Sequence, residues 1–207
     1  EGYRAVPGLT VESVWNFRDV AGEGDGLLLA DGTRMAVGAV FRSGKLAPIS
    51  KADRARLAKA GVTDIYDLRT PEVISRSPDP AIDGAEHHEV NIFAVHATPA
   101  AKPGSVAAAK EHMRQLNRNF VTDAHQRAAI AVVLSSIAED RGPVLVHCTE
   151  GKDRTGWISA MLQSVAGAGE RRVIDEYLSS TPFLKHLTEQ DVAKARQSCR
   201  KQAAAIR

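Results

Sequence analysis

Val144-Leu-Val-His-Cys-Thr-Glu-Gly-Lys-Asp-Arg-Thr-Gly156 is the stretch from which the rest of the chain is read. Val144-Leu145-Val146 is short and wholly apolar, the pattern of a central strand covered on both faces. Gly142-Pro143 breaks the helical pattern just before it. From about Arg154 to Ala166 the spacing predicts a helix, with Trp157, Ile158, Met161, Leu162 and Val165 as a wide apolar stripe facing the core. Cys148 therefore sits where the strand ends, and Arg154 where the helix begins, six positions later.

A tight loop in that position can wrap its backbone N–H groups around one anion. The helix N-terminus adds unpaired donors and the positive end of its dipole. Thr149, Glu150, Gly151, Lys152, Asp153 and Arg154 are the expected phosphate-binding positions. Arg154 offers a planar, bidentate grip on two phosphate oxygens. Gly151 supplies the conformational freedom of a tight turn. An ordinary thiol has a pKa of about 8.5, which a helix N-terminus and nearby cations lower to roughly 3.5–7.5. Cys148 is then a thiolate that can attack phosphorus and form a cysteinyl-phosphate, which water hydrolyses in a second step. The loop donors and Arg154 stabilise the equatorial oxygens. His147 is expected to orient the loop through its ring, and the Thr155 hydroxyl to donate to the departing sulfur.

His147-Cys-x5-Arg154-Thr-Gly156 resembles the signature of cysteine-dependent protein tyrosine phosphatases. The fuller His-Cys-x-x-Gly-Lys-Asp-Arg-Thr-Gly is similar to a bacterial branch that includes secreted virulence phosphatases active on phosphotyrosine and phosphoinositides. Asn16-Phe-Arg-Asp-Val20 resembles that branch's N-terminal motif. Phe41-Arg-Ser43 and Asp67-Leu-Arg69 match in type and order, and Asp175-Glu-Tyr-Leu178 fits the helix after the catalytic one. The likeness runs from about residue 14 to 180. It implies an α/β fold of the tyrosine phosphatase type, with a central, partly parallel sheet flanked by helices.

The same resemblance implies hydrolysis of phosphotyrosine, with phosphoserine and phosphothreonine as further substrates, through a phosphocysteine intermediate. Phosphoinositide or inositol phosphate hydrolysis is the alternative, favoured by Lys152. A sulfurtransferase and a phosphobinding pseudoenzyme are lesser readings. His147 and the Arg154-Thr155-Gly156 ending speak against the first, and the presence of both Cys148 and Arg154 against the second. Relatives carry an aspartate general acid in an upstream loop, but Asn91-Ile-Phe-Ala-Val-His-Ala-Thr98 has none. Asp153, inside the loop, is the preferred acid, as it is held to be in this branch. His96 is the weaker candidate, followed by Asp67, Asp79 and Asp83. Asn16 is expected to touch the catalytic loop, with Arg18 and Asp19 as scaffold.

The 207 residues read as one domain, with 1–13 as an N-terminal extension and 182–207 as a C-terminal helical segment. Hydrophobic residues make up 43% and charged residues 25%, which excludes disordered, collagenous and coiled-coil classes. A net charge of +2 is too small to argue for nucleic acid as partner. The expected partner is the phosphorylated protein or phosphoinositide substrate. Lys194, Arg196, Arg200 and Lys201 read as a solvated helix face, with an acidic membrane surface as the minority reading. No apolar run approaches the roughly 18 residues of a membrane span. The chain begins at Glu1, so a leader could have been removed, and the compartment stays open between cytoplasm and export. Cys148 and Cys199 form no disulfide framework, and Cys199 reads as a small buried hydrophobe. His87, His88 and His112 lack metal-ligand companions at ligand spacing, so no metal or cofactor is expected.

Local signals complete the outline. Leu27–Ala30 and Thr33–Phe41, joined by Asp31-Gly32, predict a hairpin. Ser50 predicts a helix N-cap, Ala60 its end and Gly61 its stop. Val62–Leu68 alternates like a strand. Residues 71–80, with three prolines, read as loop, and Val90–Phe93 as a short strand. Residues 97–105 read as loop. Helices are expected at about 106–120 and 124–139, the second with Ala129, Ile130, Val133, Leu134 and Ile137 on one face. Residues 191–206 are again amphipathic.

Overall fold

The computed structural model describes residues 6–93, 105–139 and 142–185, together with positions 189 and 197. The elements run β1 (Arg18–Asp19), β2 (Val40–Ser43), α1 (Lys51–Ala60), β3 (Asp64–Asp67), α2 (Pro71–Arg76), β4 (Glu86–Glu89), α3 (Val106–Thr122), α4 (Ala124–Glu139), β5 (Val144–His147), α5 (Asp153–Val165) and α6 (Glu170–Leu178). Among the described residues, five strands form one sheet in the order β1-β2-β5-β3-β4. β5 lies at its centre, parallel to β2 on one side and β3 on the other, and β4 continues the parallel set. Among these five strands β1 alone runs antiparallel. The expected α/β class with a partly parallel sheet flanked by helices is the architecture found.

All four residues of β5 are buried, because its neighbours cover both edges and apolar layers cover both faces. Alternation along the strands divides the core. Phe41, Ile65 and Leu145 point to a layer with Val11, Leu46, Leu57 and Ile82. Tyr66, Val144 and Val146 point to the opposite layer with Phe120, Ile130, Val133 and Ile158. The C-terminal ends of β2, β3 and β5 thus share one rim, the rim at which ligands of parallel sheets bind.

The cap signals of α1 act as the sequence predicts. The Ser50 side chain caps α1 by accepting the Asp53 N–H at 3.1 Å, and Gly61 ends the helix in the left-handed region at φ 73°. The expected face of α4 also packs as read, with Ile130 and Val133 buried and Ala129, Leu134 and Ile137 against the same layer.

Four expectations need correction. Residues 71–76 are helix rather than loop, because Pro71 occupies the first turn, where a missing N–H costs nothing. The strand after α2 is Glu86–Glu89 rather than Val90–Phe93. As a mostly exposed edge strand it has no apolar alternation to betray it. The hairpin is short: Leu28 pairs with Arg34, but Val40 and Phe41 leave it to lie parallel to β5. On α5, Val165 is exposed, and the most buried face carries Thr155, Gly156, Ser159 and Gln163 beside Ile158. Small and polar side chains serve there because the helix lies close to the N-terminal segment, where the Gln163 amide donates to Val20 O at 2.7 Å. Residues 97–104 and nearly all of 191–206, with Cys199, lie outside the described residues.

Leu145 is fully buried between β2 and β3. Leu145→Ala is expected to lower unfolding free energy by about 2–5 kcal/mol in urea titration, the usual cost of a buried Leu-to-Ala cavity. An unchanged midpoint would show that β5 is not the centre of the core.

Candidate active site

The loop between β5 and α5 is shaped from outside. The Lys45 N–H donates to Thr149 O at 3.1 Å. The Asn16 amide donates to Glu150 O at 3.1 Å and to Gly151 O at 2.9 Å. The Arg42 guanidinium donates to Gly151 O at 2.8 Å. Three successive carbonyls are thereby drawn outward. In a trans peptide the N–H points opposite the carbonyl, so the following N–H groups turn inward, toward the Cys148 pocket. Gly151 has φ 66°, and a Cβ there would stand 2.3 Å from Ser43 O, so both the turn and the close approach require glycine.

Those donors are themselves held in place. Arg42 is fully buried and ion-paired to Glu176 of α6 at 3.3 Å. Burial, then the charge of Arg18, pulls its pKa down to about 10, with Glu176 opposing. Arg18 pairs with Glu176 at 2.8 Å, donates to Ser180 Oγ at 3.1 Å and contacts the Asn16 side-chain oxygen. Asn16 itself sits at φ 58°, a left-handed conformation that Asn tolerates better than most residues. Asn16 therefore touches the loop as expected, and Arg18 is scaffold for it.

Beneath the loop, His147 is fully buried with Nε2 2.9 Å from Asp79 Oδ2. Its Nδ1 lies 3.3 Å from Cys148 O. Burial works against the imidazolium, but the Asp79 contact and charge outweigh it and raise the His147 pKa. Arg69 bridges Asp67 at 2.6 Å and Asp79 at 2.9 Å. Asp67 and Asp79 are thus committed to a buried salt-bridge network, and Asp83 borders Lys51 and Arg54 elsewhere. None of the three stands at the pocket as a proton donor. His96 lies outside the described residues. His88 has companions that spacing hid, since Asp64 and Glu86 lie beside it, with Asp64 Oδ1 2.7 Å from Nε2.

The pocket over Cys148 measures about 370 Å³ and is lined by Thr149, Glu150, Lys152, Asp153 and Arg154 together with Phe93 and the α3 residues Met113, Leu116, Asn117 and Phe120. Cys148 is buried at its floor. Burial pushes its thiol up, but the Arg154 charge, the Thr155 hydroxyl and the N–H groups of Thr155 and Glu150 bring it below its ordinary value. The Thr155 hydroxyl is buried with no oxygen or nitrogen partner among the described residues, which leaves it to the sulfur. Arg154 is oriented by Leu68 O at 3.0 Å and Thr149 Oγ1 at 3.3 Å, and it stacks on Phe93 at 4.6 Å from the ring centre. Phe93 and the α3 wall were missed in the sequence. Met113, Leu116, Asn117 and Phe120 recur at helical spacing, which is the signal that could have found them.

Alkylation of Cys148 by iodoacetamide, followed across pH, is expected to reach half its maximal rate below the ~8.5 of an ordinary thiol. Arg154→Gln should move that midpoint upward, since it removes the largest influence opposing burial. A midpoint at or above the ordinary value would contradict the thiolate.

A model of the tyrosine phosphatase family matches residues 9–206. The triple specificity protein phosphatase PtpB of Mycobacterium tuberculosis is 30% identical over 210 residues, covering 89% of this chain and 71% of that protein. A putative tyrosine-protein phosphatase of Cupriavidus necator is 29% identical, covering 83% of this chain and 62% of its own length. Among solved structures, a kinase associated phosphatase matches at 15% identity and a TM-score of 0.38, covering 83% of each chain. On the family match and the mycobacterial relative together, the chain belongs to the tyrosine phosphatase family.

Proposed function

We propose that the protein hydrolyses phosphotyrosine through a phosphocysteine intermediate. The observation that carries this reading is Cys148, its thiol lowered, at the floor of a pocket whose wall includes Arg154 and Asp153. The Cys148 thiolate attacks phosphorus, the S–P bond forms and the P–O bond to the aryl group breaks. Asp153 passes its proton to the leaving oxygen. In the second step the Asp153 carboxylate takes a proton from water, which attacks phosphorus, and the thiolate departs toward the Thr155 hydroxyl. Inward N–H groups and Arg154 carry the charge of both transition states. No step calls for a metal.

Phe93 and Phe120 on the pocket wall suit an aryl phosphate. The family match, and a relative described as having triple specificity, support the protein-phosphatase reading and a range wider than phosphotyrosine. Lys152 favours a second reading. It lines the same pocket with its side chain 41% exposed, where it can meet the further phosphates of a phosphoinositide.

With EDTA present, Cys148→Ser is expected to abolish turnover of p-nitrophenyl phosphate and phosphotyrosine alike. Asp153→Asn should separate the two. General acid catalysis contributes about 10²–10⁴-fold, and p-nitrophenolate leaves with little need of it. The variant should therefore lose phosphotyrosine turnover far more than p-nitrophenyl phosphate turnover. Residual activity in Cys148→Ser would exclude the covalent route. Equal losses on the two substrates in Asp153→Asn would take the acid role from Asp153.

A further inference from the structure

Gly156 follows Arg154 and Thr155 on α5, yet it carries no chemistry of its own. A Cβ on Gly156 would stand 2.7 Å from Cε2 and 3.0 Å from Cδ2 of Tyr177. Its bareness lets the Tyr177 ring, delivered by α6, come close against the first turn of α5. That turn begins with Asp153. The ring's approach carries the Tyr177 hydroxyl to 3.4 Å from Asp153 Oδ1. On the other side the same hydroxyl lies 3.4 Å from Asn117 Oδ1 on α3. The Asn117 amide is fixed in sense, because its Nδ2 donates to Met113 O at 2.8 Å. Its oxygen therefore faces Tyr177 as an acceptor. One phenolic proton thus has two acceptors within reach, and it can serve one at a time.

We propose that Tyr177 is the positioning residue of the general acid: its hydroxyl stands against Asp153 Oδ1 on the α6 side, placed to donate to it once the acid's proton has left, while the other carboxyl oxygen faces the leaving group in the Cys148 pocket. This inference rests on the assignment of Asp153 as the acid. While Asp153 carries its proton on Oδ2, the Tyr177 hydroxyl donates to Asn117 Oδ1. When that proton has passed to the leaving oxygen, Asp153 is a carboxylate. The Tyr177 hydroxyl then rotates and donates to Oδ1, stabilising the charge just formed. When Asp153 takes a proton from the attacking water, the hydroxyl returns to Asn117. No proton leaves Tyr177 at any stage, so the balance of the reaction is unchanged.

Two observations place Tyr177 behind Asp153 rather than at the reacting atoms. It lines the neighbouring groove between α3, α5 and α6, whereas Asp153 lines the Cys148 pocket. Burial, then the charge and hydrogen bond of Asp153, pushes the phenol up to about 12, so it keeps its proton across the neutral range. Asn117 borders both spaces, which is why the hydroxyl has a second acceptor to turn to.

Tyr177→Phe tests this with little risk to folding, since the ring stays against Gly156 and only the hydroxyl is removed. The readout is kcat/KM, which reports phosphocysteine formation, on phosphotyrosine and on p-nitrophenyl phosphate, in wild type, Tyr177→Phe, Asp153→Asn and the double variant. Tyr177→Phe is expected to lower the phosphotyrosine value about tenfold, a fraction of the roughly 10²–10⁴ of general acid catalysis, and to leave p-nitrophenyl phosphate within about twofold. The double variant should match Asp153→Asn. Three results would overturn the inference: equal loss on both substrates in Tyr177→Phe, no loss on either, or a further tenfold loss when Tyr177→Phe is added to Asp153→Asn. In each of these Asp153→Asn can still discriminate between the substrates, and the acid assignment then stands alone. If Asp153→Asn does not discriminate, both assignments fall together.

Discussion

Every part of the site depends on the outward turn of three carbonyls, those of Thr149, Glu150 and Gly151. A loop left to itself would scatter its peptide dipoles. Here the Lys45 N–H, the Asn16 amide and the Arg42 guanidinium each claim an oxygen, and the opposite ends of the peptides are left facing the pocket. The donors come from β2, the turn after it and the segment before β1, none of them near the loop in sequence. A net hydrogen bond in a folded protein is worth about 1 kcal/mol, and one to a charged group about 1.5–3 kcal/mol. Together these contacts are enough to hold one loop conformation against its alternatives before any substrate arrives. That is preorganisation: the donors need no rearrangement as charge develops on the phosphoryl group.

The cost of this arrangement appears elsewhere. Arg42 is fully buried, a position that guanidinium groups take only when paired. Glu176 on α6 supplies the partner for both Arg42 and Arg18, and Ser180, just past the end of that helix, accepts from them. Below the loop, Asp67, Arg69, Asp79 and His147 form a second buried network that ties the ends of β3 and β5 together. Removing one member of such a network leaves an uncompensated charge and costs about 3–5 kcal/mol. α6 is thus more than a helix that follows the catalytic one. It neutralises the arginines that shape the loop and, through Tyr177, reaches Asp153, the proposed general acid.

What was legible in the sequence follows the range of the forces involved. The α1 helix was bounded from Ser50 to Gly61 because both caps act within one turn of the chain. β5 and the loop were legible because a doubly covered strand must be apolar and an anion-binding turn must carry glycine. α2 was hidden by the run of Pro71, Pro78 and Pro80, although Pro71 suits a first turn, and β4 was hidden because an exposed edge strand has no apolar face to pattern. Asn16 was expected at the loop from its motif, but its two carbonyl targets lie 134 and 135 positions away and no local rule predicts them. The same holds for Arg42 with Glu176 and for Tyr177 with Asp153. Such pairs exist only once strands and helices have packed together.

The most direct test of the account uses a residue that donates to carbonyls and to nothing in the pocket. Inorganic phosphate is titrated calorimetrically into Cys148→Ser and into Cys148→Ser carrying Asn16→Ala, with thermal unfolding recorded to show that both remain folded. The loss of two hydrogen bonds of about 1 kcal/mol each predicts phosphate binding weakened by at least about tenfold in the second protein. Equal affinity in two folded proteins would show that the loop keeps its shape without Asn16, and would contradict the claim that outside donors turn its N–H groups toward the anion.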